Sequence, residues 1–122
     1  PITERLVMLY DELRCIAERY APQQAAVEEI FFATNARTAI SVSQARGVAL
    51  LALAQARLPI AEYTPLEVKQ ATTGYGQADK AQMQEMVRLL LGLPDVPRPD
   101  DAADALAVAI CHHSHSRFAG LG

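Results

Sequence analysis

The sequence Asp100-Asp101-Ala102-Ala103-Asp104-Ala105-Leu106-Ala107 follows a loop broken by prolines and opens an apolar segment that reaches about His115. The pattern predicts a helix with Asp100 as its N-cap, because aspartate there can accept hydrogen bonds from the first free backbone N–H groups. Asp101 and Asp104 are three residues apart and therefore share one face of that helix. The other positions are small or apolar, so we expect the rest of the helix surface to be buried.

The two carboxylates on this face have two interpretations. Neighbouring carboxylates repel each other unless a cation stands between them, and Mg²⁺ suits hard oxygen ligands. Alternatively, Asp100 caps the helix, while Asp101 and Asp104 interact with the positive end of the helix dipole at a solvated terminus. This stretch alone leaves both interpretations open.

Length and composition are those of one globular domain. Of the 122 residues, 51% are hydrophobic and 20% are charged, which is typical of a chain that buries a core. Apolar runs such as 47–54 are too short to cross a bilayer, and we expect no signal peptide because residues 1–20 carry charges throughout. Cys15 and Cys111 lack a CxxC spacing, so we expect two buried thiols in a reducing compartment, the cytoplasm.

The charge distribution is uneven. The net charge of −3 argues weakly against nucleic acid as a partner. Residues 37–88, however, carry more basic than acidic side chains, whereas acidic side chains concentrate in 4–29 and 95–104. A basic segment beside an acidic site is what a metal-dependent phosphodiesterase needs, although chance also accounts for it. Arg37 and Arg46 in this segment are candidate DNA contacts.

The first part of the chain predicts a helix followed by a strand. Residues 3–20 carry an apolar stripe at helical spacing, with Thr3 as the cap and Pro22 as the terminator. The run Ala25-Ala26-Val27 predicts a buried parallel strand that delivers Glu28 at its C-terminal end. Ligands collect at that end of parallel strands in open α/β sheets, so Glu28 is a candidate site residue. The alternative is a strand that simply exits into solvent.

Two aromatic residues, Phe31 and Phe32, fall in a predicted loop before Asn35, which we expect to cap a helix over 36–56. An exposed aromatic beside carboxylates can stack on an unpaired base, although such a pair more often packs into the core. The many small residues of the helix indicate close packing on a sheet, across a dimer axis or elsewhere within the chain.

The second half of the chain predicts one strand and two short helices. Residues 59–63 are expected to form the strand. Thr64-Pro65-Leu66-Glu67 combines a capping box with proline at the first helical position, and the helix that follows is expected to end at Gly74. Residues 78–91 predict an amphipathic helix that ends at Gly92.

Cationic side chains are expected at both ends of predicted helices. Lys80 lies in a first turn, where it opposes the helix dipole, so it indicates either a nearby anion such as phosphate or a solvated lysine balanced by Asp79. His112, His113 and His115 end the last helix, where a surface tract suits the dipole. A zinc site there lacks a cysteine or carboxylate to complete it.

The order helix, strand, helix, strand and three helices contains two strands. Two parallel strands are fewer than an independent sheet needs. We therefore expect strands to be missing before Pro1, unless a dimer partner covers the exposed edge.

Together these segments resemble the bacterial RuvC family of Holliday-junction resolvases. The resemblance lies in residues 26–31, 43–49, 68–70, 74–76 with 79–80, and 101–107, in family order and near family spacing. The loop at 94–100 is about one residue longer than the family pattern suggests. The resemblance implies an α/β, ribonuclease-H-like fold, in which a mixed sheet has helices on both faces. It also implies that the first three strands are missing from this chain and that residues 1–122 form a single nuclease domain.

The resemblance also implies a metal site. Glu28, Asp101 and Asp104 match three of the family's four acidic metal ligands, and the fourth, an aspartate on the first strand, has no counterpart here. The family mechanism uses two Mg²⁺ ions, for which Mn²⁺ is expected to substitute, to activate water and stabilise the leaving oxygen. With one ligand missing, this chain alone is expected to bind Mg²⁺ poorly and to cut little DNA.

DNA contacts and partners follow from the same resemblance. Lys69 and Lys80 are similar to family residues that contact DNA and assist cleavage, and Phe31 to the aromatic that stacks on bases at the opened crossover. The implied protein is a homodimer that nicks a four-way junction symmetrically in recombination and repair, with a branch-migration complex of the RuvA and RuvB type. Two alternatives stay open: a ribonuclease-H-fold nuclease on structured RNA or other branched DNA, and a non-catalytic DNA-binding module.

Overall fold

The computed structural model describes residues 1–29 and 36–118. Of Arg117 and Phe118 it describes the backbone alone. Within these ranges, none of the helices has the length and apolar character that crossing a bilayer requires. The order of elements agrees with the sequence prediction. The helices are α1 (Ile2–Tyr20), α2 (Ala36–Gln55), α3 (Pro65–Thr73), α4 (Lys80–Leu91) and α5 (Asp100–Phe118), and the strands are β1 (Ala25–Glu28) and β2 (Ile60–Tyr63).

The chain forms two compact units. The first unit comprises Pro1–Ala25 with Phe31–Ala61, and the second comprises Ala26–Ile30 with Glu62–Gly122. The strands pair in parallel, because the Ala25 N–H donates to the Pro59 carbonyl at 2.9 Å and the Glu29 N–H donates to the Tyr63 carbonyl at 2.7 Å. The predicted parallel pair is therefore confirmed.

Strand β1 is half-buried along its length rather than buried. Among the described residues it has β2 as a neighbour on one edge, and a strand paired on one side keeps part of its surface exposed. The prediction of a fully buried strand is wrong for this part of the chain. The strand nevertheless ends at Glu28, as the sequence predicted.

In the first unit, α1 packs against α2. The Tyr10 hydroxyl donates to Gln55 Oε1 across the two helices. Two predictions about α1 are wrong. Thr3 does not cap the helix, which begins at Ile2 and has no side-chain cap. Cys15 is exposed rather than buried, because its position falls outside the apolar stripe of the helix.

In the second unit, α3, α4 and α5 pack against one another. The alanines of α5 present little side-chain bulk, which lets neighbouring helices approach closely. Cys111 is fully buried, as predicted, and its burial, with the nearby Glu67 and Glu28 carboxylates, raises the pKa of the thiol to about 11. The thiol therefore stays protonated near neutral pH and serves as a small core side chain. The buried residues of this core include Val68, Val87, Ala103, Ala107 and Cys111.

Capping boxes begin both short helices. At α3, the Glu67 N–H donates to Thr64 Oγ1 at 3.2 Å and the Thr64 N–H donates to Glu67 Oε1 at 2.9 Å, as predicted. At α4, Asp79 and Gln82 form an equivalent pair with two hydrogen bonds of 2.8 Å. The second box moves the start of α4 to Lys80, two residues later than predicted. Its aspartate–glutamine spacing was the sequence signal that would have revealed it.

Replacing Thr64 with Ala is expected to lower the free energy of unfolding by about 1 kcal/mol, because the Glu67 N–H loses its acceptor. Urea denaturation of the wild-type and variant chains measures the difference. Ser43→Ala, an exposed substitution on α2, is the control and is expected to change the free energy by about 0.5 kcal/mol at most. Equal losses in both variants would contradict a capping role.

The histidines near the end of α5 are not a simple surface tract. His112 is half-buried, and its Nδ1 lies 2.6 Å from the Tyr63 hydroxyl. His115 places Nδ1 2.9 Å from the Cys111 carbonyl oxygen and Nε2 4.0 Å from Glu67 Oε2. The prediction of a surface tract is therefore wrong for His112, which joins β2 to α5.

Candidate active site

A cavity of about 300 Å³ in the second unit collects most of the predicted site residues. Glu28 comes from the end of β1, Lys69 from α3, Lys80 from the start of α4 and Asp104 from the first turns of α5. Apolar side chains complete the wall: Val68, Ala78, Met83, Ala103 and Ala107. Four elements thus bring two ammonium groups and three carboxylates, one of them from the α4 cap Asp79, to one cavity.

Glu28 is half-buried and interacts electrostatically with its neighbours in this cavity. Burial is the main cause that raises its pKa, the negative charge of Asp104 raises it further, and Lys69 partly offsets both. The negative charge of Asp104 therefore disfavours the ionised form of Glu28, an effect that a bound cation would reverse.

Lys80 pairs with two carboxylates of α5. Its Nζ lies 3.6 Å from Asp100 Oδ2 and 3.7 Å from Asp104 Oδ2. Asp79, the balancing partner considered from sequence, instead accepts the Gln82 N–H as the cap of α4. These side chains are about half exposed, so the ion pairs contribute little to stability and matter mainly for position.

The prediction that Asp100 is the N-cap of the last helix is wrong. Asp100 is the first residue of α5, and its Oδ1 accepts a hydrogen bond from Gln84 Nε2 at 3.2 Å. Asp101 lines a neighbouring cavity with Pro97, Asp100 and Gln84. The structure thus brings Glu28 and Asp104 together, while Asp101 does not line their cavity.

The donor set fits a hard divalent cation in chemistry but is incomplete in geometry. Carboxylate oxygens are the ligands that Mg²⁺ prefers, and Glu28 of β1 and Asp104 of α5 supply them to one cavity. Within residues 1–29 and 36–118, however, no three His, Cys, Asp or Glu side chains are grouped closely enough to hold a metal ion. A metal at this site therefore needs a further ligand or a side-chain movement.

The remaining predicted DNA contacts are Arg37, Arg46 and Phe31. Arg37 and Arg46 are on α2 in the first unit, Arg37 exposed and Arg46 half-buried. Phe31 lies outside the described residues, as do Phe32 and Asn35. Sequence reasoning missed the contact of Gln84 with Asp100, because no local spacing signals a pair from two different helices.

Most of the chain matches one known protein family. Residues 1–112 match the family described as crossover junction endodeoxyribonuclease RuvC. The protein of that description from Chloroflexus aurantiacus is 69% identical over 112 residues, which cover 92% of this chain and 68% of that protein. The one from Thermomicrobium roseum is 55% identical over 121 residues, which cover 99% and 74%.

Two solved structures show the same fold. Thermus thermophilus RuvC is 39% identical with a TM-score of 0.89, over 98% of this chain and 72% of that one. T. thermophilus RuvC in complex with Holliday junction substrate is 39% identical with a TM-score of 0.92, over 99% and 73%. The family and fold predicted from the sequence are therefore confirmed. The chain belongs to the RuvC family of crossover junction endodeoxyribonucleases, structure-specific DNA hydrolases that act on Holliday junctions and have a ribonuclease-H-like fold.

Proposed function

We propose that this resolvase hydrolyses the phosphodiester bond at the cavity lined by Glu28 and Asp104, with Mg²⁺ as its cofactor and Mn²⁺ as a substitute. One observation carries the proposal: Glu28 and Asp104, from two elements far apart in sequence, line one cavity with Asp79 and two lysines. Nucleases of the family are typically metal-dependent, which agrees with this set of side chains. Asp101, on the same first turns of α5, is proposed as the third ligand.

The bound metal would activate a water molecule and stabilise the leaving 3′ oxygen. The protein's own groups position the strand and balance charge. Lys69 and Lys80 place two positive charges in the cavity, where they can contact the non-bridging oxygens of the scissile phosphate.

We propose that a fourth acidic ligand is supplied from outside this chain. The described acidic side chains do not form a metal group by themselves, and the chain spans 68% of the Chloroflexus aurantiacus relative. Strands from the part of the relatives that this chain does not span would carry this ligand and pair with the edge of β1 that no described strand covers. The chain alone is then expected to bind Mg²⁺ poorly, whereas the intact protein binds it.

We also propose the biological setting of the activity. A homodimer would match the two-fold symmetry of a four-way junction and make paired nicks in recombination and repair. A branch-migration complex of the RuvA and RuvB type would be its partner. The two units would form one nuclease domain, with Arg37 and Arg46 as further DNA contacts. Two free cysteines are consistent with a reducing compartment, the cytoplasm.

A cleavage assay tests the proposal. The intact protein is incubated with a strand-labelled four-way junction or a linear duplex, each in Mg²⁺ or EDTA. Symmetric nicks confined to the junction and to Mg²⁺ are expected. Equal cleavage of structured RNA or of other branched DNA would favour the broader nuclease alternative, and binding without nicking would favour a non-catalytic module.

Phe31→Ala is expected to slow junction cleavage about tenfold in the intact protein, because a stacking contact with a base is worth about 1–3 kcal/mol. Fluorescence of a base analogue at the crossover measures the loss of junction opening, and thermal unfolding measures stability. The neighbouring substitution Phe32→Ala is the control. A large drop in melting temperature on Phe31→Ala would show that Phe31 is a core residue instead.

A further inference from the structure

Asp100 uses its two carboxylate oxygens for two different partners. Oδ1 accepts the hydrogen bond from Gln84 Nε2 at 3.2 Å, and Oδ2 lies 3.6 Å from Lys80 Nζ. The Gln84 contact restricts rotation of the carboxylate and keeps Oδ2 directed at the lysine. Asp100 is thus held by Gln84 through Oδ1 and pairs with Lys80 through Oδ2.

Lys80 is shared between Asp100 and Asp104, at 3.6 Å and 3.7 Å. A cation that binds Asp104 competes with Lys80 for the same carboxylate, since both are positive charges attracted to its oxygens. Lysine side chains carry high rotamer entropy, and this one is 57% exposed. Without a second partner, its ammonium group would either stay on Asp104 against the metal or move into solvent.

We propose that Asp100 is a positioning residue that keeps Lys80 at the edge of the cavity while Asp104 turns to the metal. This inference rests on the proposed roles of Asp104 and Lys80. Asp100 lines the neighbouring cavity with Asp101 and is not among the residues that line the cavity of Glu28, so its contact with the reaction runs through the lysine. Gln84, which lines both cavities, fixes Asp100 from α4.

Asp100→Asn tests the proposal, because asparagine still accepts the Gln84 hydrogen bond but loses the charge that attracts Lys80. In the intact protein, the Mg²⁺ concentration for half-maximal nicking is expected to rise about threefold, the effect of one exposed ion pair. Calorimetric titration of Mn²⁺ into the intact protein without DNA is expected to show a dissociation constant raised by the same factor. Asp100→Glu keeps the charge and is expected to stay close to wild type.

The same substitution in a Lys80→Met background separates positioning from a direct effect of the Asp100 charge. If Asp100 acts through Lys80, Asp100→Asn should leave Mn²⁺ binding almost unchanged in that background, as coupling in a double-mutant cycle requires. An equal shift in both backgrounds, or no shift in either, would overturn the proposal.

Two further variants keep the test decisive. If Asp100→Asn lowers the melting temperature strongly, Gln84→Met serves as the test variant instead. The Mg²⁺ concentration for half-maximal nicking should then still rise, by about twofold, because Asp100 loses the hydrogen bond that holds its carboxylate. An unchanged midpoint in folded Gln84→Met would also overturn the inference. Asp104→Asn tests the proposed function separately: if it still nicks junctions, the site itself is wrong, whatever Asp100 does.

Discussion

Asp104→Asn is expected to slow junction nicking by about a hundredfold or more, comparable with the loss of one catalytic electrostatic contact. Asparagine keeps the size of the side chain but removes the negative charge that a metal ligand supplies. Asp104 is 51% exposed, so folding should not suffer, and Lys80 keeps its second partner, Asp100. Junction binding in EDTA should therefore stay within about twofold of wild type. Single-turnover cleavage and gel-shift assays on one labelled junction measure both quantities.

The matched control is Asp95→Asn, which removes an exposed aspartate from the loop before α5. Nicking by this variant is expected to stay within about twofold of wild type, the usual range for a surface substitution. Full nicking by Asp104→Asn would show that Asp104 is not a ligand. A parallel loss of junction binding and melting temperature would assign it a structural role instead.

Sequence predicted the local features of the second unit because their signals are local. A capping box, here Thr64 with Glu67, specifies backbone geometry within a few residues. A glycine at a helix C-terminus, as in α3 and α4, does the same. Gly74 and Gly92 indeed adopt positive φ values of 77° and 66° at the C-caps. Glu28 was predicted by the same logic, since a short apolar run followed by a carboxylate marks the end of a strand.

Tertiary pairs carry no such signal. Periodicity placed Lys80 in a first turn, but its partners, Asp100 and Asp104, are on another helix. The Tyr63–His112 contact joins residues 49 positions apart. The prediction that Asp100 caps α5 was wrong for a related reason. A carboxylate at the start of a helix can bind other partners, and here Asp100 contacts Gln84 and Lys80. A local sequence pattern therefore predicts which side chains a helix or strand carries. The packing of these elements determines which side chains contact one another.

The cavity also combines charges in a way that composition does not indicate. Three carboxylates and two lysines line it, so its formal charges nearly balance even though the chain carries a net charge of −3. A metal ion bound at Asp104 would displace Lys80 from that carboxylate, and Lys80 would keep Asp100 as its partner while it contacts the DNA phosphate. Metal binding and phosphate binding are therefore expected to favour each other at this site.

Glu28→Gln is expected to have two opposite effects. In the intact protein it should slow nicking by about a hundredfold or more, because an amide replaces a charged ligand. In the metal-free chain it should raise the free energy of unfolding near neutral pH. The reason is that burial, helped by Asp104, raises the pKa of Glu28, so the ionised carboxylate is less favourable in the folded chain than in the unfolded one.

The pH dependence gives the sign of the stability effect. Stability from the neutral Glu28 carboxyl is fully present below the ordinary glutamate pKa and is lost as the pH rises through the raised pKa of the folded chain. The amide introduced by Glu28→Gln is neutral at every pH, so the advantage of the variant should grow from acidic to neutral pH in urea denaturation without metal. Glu12→Gln, an exposed substitution on α1, should show neither effect. A stability difference that does not change with pH would contradict the raised pKa of Glu28. Retained nicking would show that Glu28 is not a metal ligand.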